Sequence, residues 1–188
     1  MKKVKTKKVK KTYTSVDYLS GDGMLTTVWG PGMWHFLHTM SFNYPVKPNR
    51  EQKIQYRNFI LSLIHVLPCK YCRMNLVKNL KTLPLKYSHM ESRDKFSRYI
   101  YDLHELVNKM LKKESGLTYE IVRERYEHFR ARCTNTVVKT EEKGCTESLY
   151  GEKAKCILRI VPQTKKCNTF QMDDKCVKKR IFIKGAPK

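Results

Sequence analysis

Residues 92–113 read SRDKFSRYIYDLHELVNKMLKK and carry the strongest periodic pattern in the chain. Apolar side chains recur there in steps of three, four and one, which is the broad stripe of a helix packed on a core. The members of this stripe are Phe96, Tyr99, Ile100, Leu103, Leu106, Val107, Met110 and Leu111. We expect Gly116 to end this helix and Thr118 to cap a following helix that reaches about Arg132.

The segments before this helix also follow a helical period. Pro31 suits the first turn of one helix, the sequence NYPVKPN at 43–49 breaks it, and Pro68 stops the next. The predicted helices cover residues 29–40, 50–67, 69–80, 92–113 and 118–132. The sequence therefore predicts an all-α fold, a four-helix bundle with a short fifth helix.

The net charge of +22 is extreme for 188 residues, and seven lysines fall within the first twelve positions. We interpret the chain as a basic flexible arm (1–20), a helical domain (21–132) and a basic, cysteine-containing tail or small module (133–188). Basic tails favour contact with acidic partners such as nucleic acid or anionic lipid. A solvated tail that only raises solubility explains the same composition.

The chain contains no apolar stretch near the ~18 residues of a membrane span, and no apolar run follows the basic N-terminus. We therefore expect a soluble protein without a signal peptide, made in a reducing compartment. In such a compartment a CxxC motif is more often catalytic or metal-bound than a structural disulfide.

Two cysteines separated by two residues, Cys69 and Cys72, follow Pro68 in the sequence PCKYC. A zinc site normally needs a second pair of ligands, and no second CxxC exists. Disulfide exchange is favoured by the predicted helix N-terminus, whose unpaired N–H groups stabilise a thiolate, and by the charge of Lys70. A buried structural pair is a third interpretation, and the Lys and Tyr between the cysteines argue against it.

A redox-active pair needs an electron acceptor, because dioxygen takes electrons from a dithiol slowly without a cofactor. A thioredoxin-like fold does not fit, since the helical domain shows no alternating strands. Two residue pairs on inward helical faces indicate a cofactor pocket: Trp34 with His38, and His104 with Asn108. One histidine alone is more often an ordinary core residue, whereas both pairs around a CxxC motif are more specific.

Given these residues, the chain resembles the Erv/ALR-type FAD-linked sulfhydryl oxidases over roughly residues 28–132. Three motifs carry the resemblance: WHFLHTMSFNYP at 34–45, PCKYC at 68–72, and the helical sequence at 92–113. The sequence WGPGMW at 29–34 is most similar to family members from large DNA viruses.

The resemblance implies that a helical bundle holds FAD beside the CxxC disulfide, with Cys72 next to the flavin and Cys69 exchanging with incoming thiols. It implies a thiol oxidase that forms disulfides in protein substrates, a thioredoxin-like carrier among them, and reduces dioxygen to hydrogen peroxide. It also implies a homodimer and, for a viral member, a place in the host cytoplasm or the virion. The implied FAD contacts are Gly30, Trp34, His38, Tyr44, Tyr101, His104, Val107, Asn108, Leu111, Lys113, Arg125 and Tyr126.

Some positions depart from the pattern of that family. Glu105 replaces the usual asparagine after His104, Pro31 replaces an arginine, and Tyr99 replaces a tryptophan. Tyr101 stands where some members have a cysteine of a structural disulfide, so that bridge is absent.

Five further cysteines lie in the tail without a CxC or CxxC spacing: Cys133, Cys145, Cys156, Cys167 and Cys176. Structural disulfides, a redox shuttle and a metal clip are all compatible with them. Two other functions stay open for the whole chain, a basic nucleic-acid-binding helical protein and a zinc-binding interaction module.

Overall fold

The computed structural model describes residues 14–131, 145–167 and 171–177. These parts of the chain contain no strand, only an isolated bridge between Ala131 and Ser148. The helices are α1 (Ser15–Tyr18), α2 (Thr26–Phe42), α3 (Arg50–Val66), α4 (Lys70–Thr82), α5 (Arg93–Met110) and α6 (Tyr119–Glu127), with short 3₁₀ turns at Tyr87–Met90 and Asp174–Cys176. The predicted all-α fold is confirmed.

Side-chain caps set where several of these helices begin. The Asn49 side chain accepts the N–H of Gln52 at 2.8 Å, and the Gln52 side chain accepts the N–H of Asn49 at 2.9 Å, which closes a capping box before α3. The hydroxyls of Ser92 and Thr118 accept backbone N–H groups at the starts of α5 and α6. The predicted cap at Thr118 is confirmed.

The predicted end of α5 at Gly116 is wrong, because the helix ends at Met110. Lys112 takes a positive φ of 55°, which turns the chain out of the helix. Its N–H donates to the Lys109 carbonyl at 3.0 Å, as in a left-handed C-terminal cap. The residues after this point therefore lie in a loop.

Two other predicted boundaries are also wrong. α2 begins at Thr26, so Pro31 lies inside the helix rather than in its first turn. α6 ends at Glu127 instead of about Arg132. Both errors are a few residues long and leave the order of the helices unchanged.

A main core joins α2, α3, α4 and α5, and a smaller cluster joins α2 to α6. The hydroxyls of two core tyrosines donate to backbone carbonyls, Tyr44 to Met90 at 2.8 Å and Tyr99 to Leu83 at 3.0 Å. Burying both rings therefore leaves no hydroxyl without a partner. The buried residues of the main core are Leu37, Tyr44, Ile60, Leu63, Leu76, Leu85, Met90, Phe96, Tyr99, Ile100 and Leu103.

The described part of the tail contacts the exit of α6. The N–H of Leu149 donates to the Arg130 carbonyl, just after α6, at 2.7 Å. Within the tail, the N–H of Glu152 donates to the Lys175 carbonyl at 2.9 Å. Gly151 has a φ of +66° and passes so close that a Cβ would lie 2.7 Å from the Lys175 oxygen. This position therefore requires glycine. The domain boundaries at 20 and 132 stay a prediction.

Candidate active site

Cys69 and Cys72 lie at the N-terminus of α4, where the sequence predicts them. Cys69 is the N-cap residue with an extended backbone (φ −156°, ψ 119°), and its sulfur accepts the N–H of Cys72 at 3.3 Å. α3 ends at Val66, so Leu67 and Pro68 form the turn that enters the pair. Both sulfurs are free thiols in this structure.

The two thiols differ in acidity. Hydrogen bonding from the Cys72 side chain lowers the pKa of Cys69, and the charge of Arg73 adds a smaller decrease. Burial raises the pKa of Cys72 to about 11. Cys69 is therefore the more acidic thiol of the pair and forms a nucleophilic thiolate more readily than Cys72.

An aromatic cluster forms where α2 meets α5. The rings of Trp34 and His104 stack with centroids 3.9 Å apart and planes 6° apart. Nε2 of His38 lies 3.0 Å from Nδ1 of His104, so one ring donates to the other. Burial lowers the pKa of His38 to about 3 and that of His104 to about 4, so both rings are neutral at pH 7. The structure thus brings three predicted residues together.

The aromatic cluster extends to α6 through Tyr126. The Tyr126 ring lies 5.3 Å from the rings of both His38 and Phe42, and its hydroxyl is 3.2 Å from Nδ1 of His35. Burial raises the pKa of Tyr126 well above its usual range. Arg125, the neighbouring residue, is half-buried. Sequence reasoning missed His35, and its i, i+3 spacing from His38 is the signal that points to it.

The end of α5 places four further predicted residues in two settings. Val107 and Asn108 are half-buried, and the Asn108 amide donates to Oε1 of Glu105 at 2.9 Å. Glu105, which departs from the family pattern, therefore engages the predicted cofactor contact. Leu111 and Lys113 lie past the helix end and are exposed.

Three predicted contacts lie outside this cluster. Tyr44 is 0% exposed in the main core, so its side chain offers no surface to a bound molecule in this conformation. The hydroxyl of Tyr101 donates to the Leu117 carbonyl at 2.7 Å, on the side of α5 that faces α6. Gly30 is half-buried on α2 beside open space. Tyr44 thus packs as a core residue, and the cofactor contacts of Tyr44, Gly30 and Tyr101 all stay predictions.

Two buried polar atoms lack a hydrogen-bond partner within the described residues, Nδ1 of His38 and Nδ2 of Asn79. Asn79 lies seven residues after Cys72 on α4, so the two side chains share one helical face. An unpaired buried polar group costs about 1–3 kcal/mol, so each atom marks a position where a bound polar group is stabilising. Sequence reasoning missed Asn79, and its spacing from Cys72 is the signal that points to it.

An apolar groove of about 380 Å³ opens beside the turn that enters the CxxC pair. It lies between the first half of α2 and the end of α3. Its lining residues are Trp29, Gly32, Met33, Phe36, Leu63, Val66, Leu67 and Pro68. The CxxC pair therefore lies next to an exposed apolar surface of the kind that marks interaction sites.

The tail cysteines do not all share one state. Cys145 is disulfide-bonded, whereas Cys156, Cys167 and Cys176 are free thiols, and Cys133 lies outside the described residues. No group of three or more metal-ligating side chains occurs in the parts of the chain that the structure describes. The choice between structural, shuttle and metal roles stays open.

The model of one protein family, the Erv1 / Alr family, matches residues 31–127, which is more than half of the chain. The chain belongs to this family. The match contains both cysteines of the CxxC pair and the whole aromatic cluster. It confirms the resemblance that the three sequence motifs predict.

Relatives within the Erv1/Alr family include viral and cellular proteins. The chain is 36% identical over 91 residues to a probable FAD-linked sulfhydryl oxidase of Acanthamoeba polyphaga mimivirus, covering 48% of this chain and 63% of that protein. It is 33% identical over 86 residues to an FAD-linked sulfhydryl oxidase of African swine fever virus, covering 46% and 70%. The mitochondrial FAD-linked sulfhydryl oxidase of Saccharomyces cerevisiae is 30% identical over 84 residues, covering 45% and 43%. The chain thus spans less than two thirds of two of these three relatives.

Solved structures of Erv1/Alr proteins share the fold. The FAD-binding domain of Erv1 from Saccharomyces cerevisiae superposes with a TM-score of 0.50 at 26% identity, covering 55% of this chain and 94% of that one. The yeast Erv1 core gives a TM-score of 0.50 at 24% identity, covering 63% and 93%. Among the described residues of the present chain, no helix combines the length and apolar character needed to cross a membrane.

Proposed function

We propose that this chain is an FAD-linked thiol oxidase, which forms disulfides in protein substrates and reduces dioxygen to hydrogen peroxide. The observation that carries the proposal is the unequal pair of thiols at the start of α4, in a chain of the Erv1/Alr family. The names of the viral and yeast relatives support the same activity.

The aromatic cluster fits a flavin nucleotide. Neutral His38 and His104 can exchange hydrogen bonds with an uncharged heteroaromatic ring, and Trp34 and Tyr126 offer flat faces. Nδ1 of His38 and Nδ2 of Asn79 supply buried polar atoms that a ligand would pair. We assign the further contacts, including two cations for the pyrophosphate, to Val107, Asn108, Leu111, Lys113 and Arg125.

FAD supplies, when bound, the two-electron acceptor that a dithiol lacks and the route from it to dioxygen. In the oxidised enzyme Cys69 and Cys72 form a disulfide. A substrate thiolate attacks Cys69, a mixed disulfide forms and Cys72 is released. A second substrate thiolate attacks the substrate sulfur of that bond, so the substrate leaves as a disulfide and Cys69 leaves as a thiolate. The lowered pKa of Cys69 suits it to leave.

Each turnover therefore moves two electrons and two protons from the substrate dithiol to the CxxC pair. The same two electrons and protons leave the pair when it is reoxidised, and they reduce one dioxygen to one hydrogen peroxide. Cys72 holds a proton in the reduced pair because burial raises its pKa. This proton must leave before or with the electrons of that sulfur.

Flavin absorbance and oxygen consumption test the proposal. We expect purified protein to be yellow, to release FAD on denaturation, and to consume oxygen with dithiothreitol. Cys69→Ser and Cys72→Ser should each abolish turnover, whereas Cys167→Ser, at an exposed tail thiol, should retain it. Colourless protein that releases no FAD, or a Cys69→Ser variant with full turnover, contradicts the proposal.

We also propose a homodimer through the outer face of α2 and α3. Phe36 and Phe59 meet edge to face at 6.0 Å, yet they are 51% and 36% exposed. Apolar patches of this kind mark interaction surfaces. Analytical ultracentrifugation should give a dimer for the native chain and a monomer for Phe36→Glu, with Ile157→Glu in the tail as the control. A monomeric native chain contradicts this arrangement.

Three narrower proposals concern partners and place of action. We propose a thioredoxin-like protein as the thiol carrier, which Cys72→Ser should trap as a mixed disulfide on Cys69.

We propose that the basic tails contact nucleic acid, which predicts DNA retention that weakens steeply with salt. The viral relatives support action in the host cytoplasm or in the virion, and fractionation of infected cells tests this if the source is viral.

A further inference from the structure

Residues 20–25 run across the turn that carries Cys69, and we name them the strap. The N–H of Met24 donates to the Pro68 carbonyl at 2.8 Å. The carbonyl of Met24 accepts the indole N–H of Trp29 at 3.0 Å. Both backbone groups of Met24 are therefore used, one toward the redox pair and one toward α2.

Gly23 makes the closest approach between the strap and the redox pair. A Cβ at this position would lie 2.8 Å from the Pro68 oxygen and 3.1 Å from Cα of Cys69. Both neighbours are backbone atoms, so they cannot rotate away as a flexible side chain would, and the strap accepts only glycine here. Gly21 is different, because nothing lies within 4 Å of its Cβ position.

The backbone that the strap contacts decides where the Cys69 sulfur points. The sulfur reaches the N–H of Cys72, 3.3 Å away, because Cys69 adopts the extended geometry of an N-cap. The same turn also accepts a hydrogen bond from α4, because the Arg73 guanidinium donates to the Leu67 carbonyl. The turn is thus held between the strap and α4.

The titratable and charged side chains next to Cys69 along these two elements are few. On α4 they are the Cys72 thiol, the Arg73 guanidinium and the exposed ammonium group of Lys70. On the strap the charged side chain is the exposed carboxylate of Asp22, whose bond is to the Ser20 hydroxyl at 2.6 Å. Hydrogen bonding with Cys72 is the largest cause of the lowered pKa of Cys69. The acidity of Cys69 therefore depends mainly on its geometry at the helix N-terminus.

We propose that the strap is a positioning element for the redox pair, in which Gly23 and Met24 hold Cys69 in the geometry of the nucleophilic sulfur. The strap precedes residue 31, where the family match begins, so the comparison assigns it no role. The inference rests on the proposed exchange role of Cys69. Its test measures thiol reactivity, which needs neither turnover nor bound FAD.

The test is the alkylation rate of each thiol in reduced protein, measured by mass spectrometry with iodoacetamide over a pH series without oxygen. The exposed thiols Cys156 and Cys167 serve as references within every sample. In Gly23→Ala the Cys69 rate at neutral pH should fall about threefold relative to these references, because a smaller fraction of Cys69 is then thiolate. The midpoint of the Cys69 profile should move upward, and Gly21→Ala should match the native chain.

An unchanged Cys69 profile in Gly23→Ala overturns the proposal. A faster alkylation of Cys69 with an unchanged midpoint of its pH profile also overturns it, because the strap would then only limit the access of the reagent to Cys69. If Gly23→Ala does not melt cooperatively, Trp29→Phe decides, since it removes the indole N–H that anchors Met24. The same upward shift supports the proposal and no shift overturns it. Protein that binds no FAD but shows the shift retains this inference and refutes the proposed oxidase.

Discussion

Replacing Tyr44 by phenylalanine separates a core role from contact with a cofactor. The side chain is 0% exposed, and its hydroxyl donates to the buried Met90 carbonyl at 2.8 Å. Phenylalanine keeps the ring, which packs edge to face on Tyr56 at 4.8 Å, so only the hydrogen bond is lost. Because the Met90 carbonyl then lacks this partner, we expect the free energy of unfolding to fall by about 1–3 kcal/mol.

Thermal unfolding of FAD-free protein measures this loss, at about 2–4 °C of Tm for each kcal/mol in a chain of this size. Tyr71→Phe is the matched control, because Tyr71 is 74% exposed and should change Tm little. A fluorescence titration with FAD should give the same dissociation constant for Tyr44→Phe and the native chain. An unchanged Tm with a clearly weaker FAD complex would refute the reasoning and make Tyr44 a cofactor contact.

Three further predictions concern buried and strained groups. His38 and His104 stay neutral in the folded chain down to about pH 4, whereas the same histidines take up protons in the unfolded chain below about pH 6.5. The free energy of unfolding should therefore decrease from about pH 6.5 toward pH 4, by about 1.4 kcal/mol per pH unit for each histidine. Denaturant titrations at several pH values test this, and His38→Gln should flatten the curve. Asn79→Leu removes the buried Nδ2 that lacks a partner, so the free energy of unfolding of FAD-free protein should rise by about 1 kcal/mol. FAD should bind this variant more weakly, and an unchanged FAD affinity counts against a contact between Asn79 and FAD. Lys112→Gly should stabilise the chain by about 1 kcal/mol by relieving its positive φ, whereas Lys109→Gly inside α5 should destabilise it by a similar amount in the same assay.

The parts that sequence predicts well depend on local spacing. The stripe on α5 identifies Phe96, Ile100 and Leu103 as core, and all three are buried. The i, i+4 spacing on α2 puts Trp34 and His38 on one face, which explains why both meet His104. Such patterns need no knowledge of the rest of the fold.

The parts that sequence misses depend on the path of a loop. The buried hydroxyl of Tyr44 is paired only because the chain brings the Met90 carbonyl to it, 46 residues later. α5 ends six residues before Gly116 because Lys112 adopts a conformation that lysine rarely takes. The bond between Asn108 and Glu105 is different, because its i, i+3 spacing is visible in the sequence.

The bond between Glu152 and Lys175 limits how far one exposed thiol, that of Cys156, can move. Cys156 follows Glu152 by four residues, and a fully extended chain advances at most about 3.6 Å per residue. While the bond holds, Cys156 stays within about 14 Å of that anchor. The Cys156 sulfur can therefore react with another thiol or disulfide of the same chain only if that group comes within this distance of the bond. Partners farther away are reached only if the bond opens or a second molecule arrives.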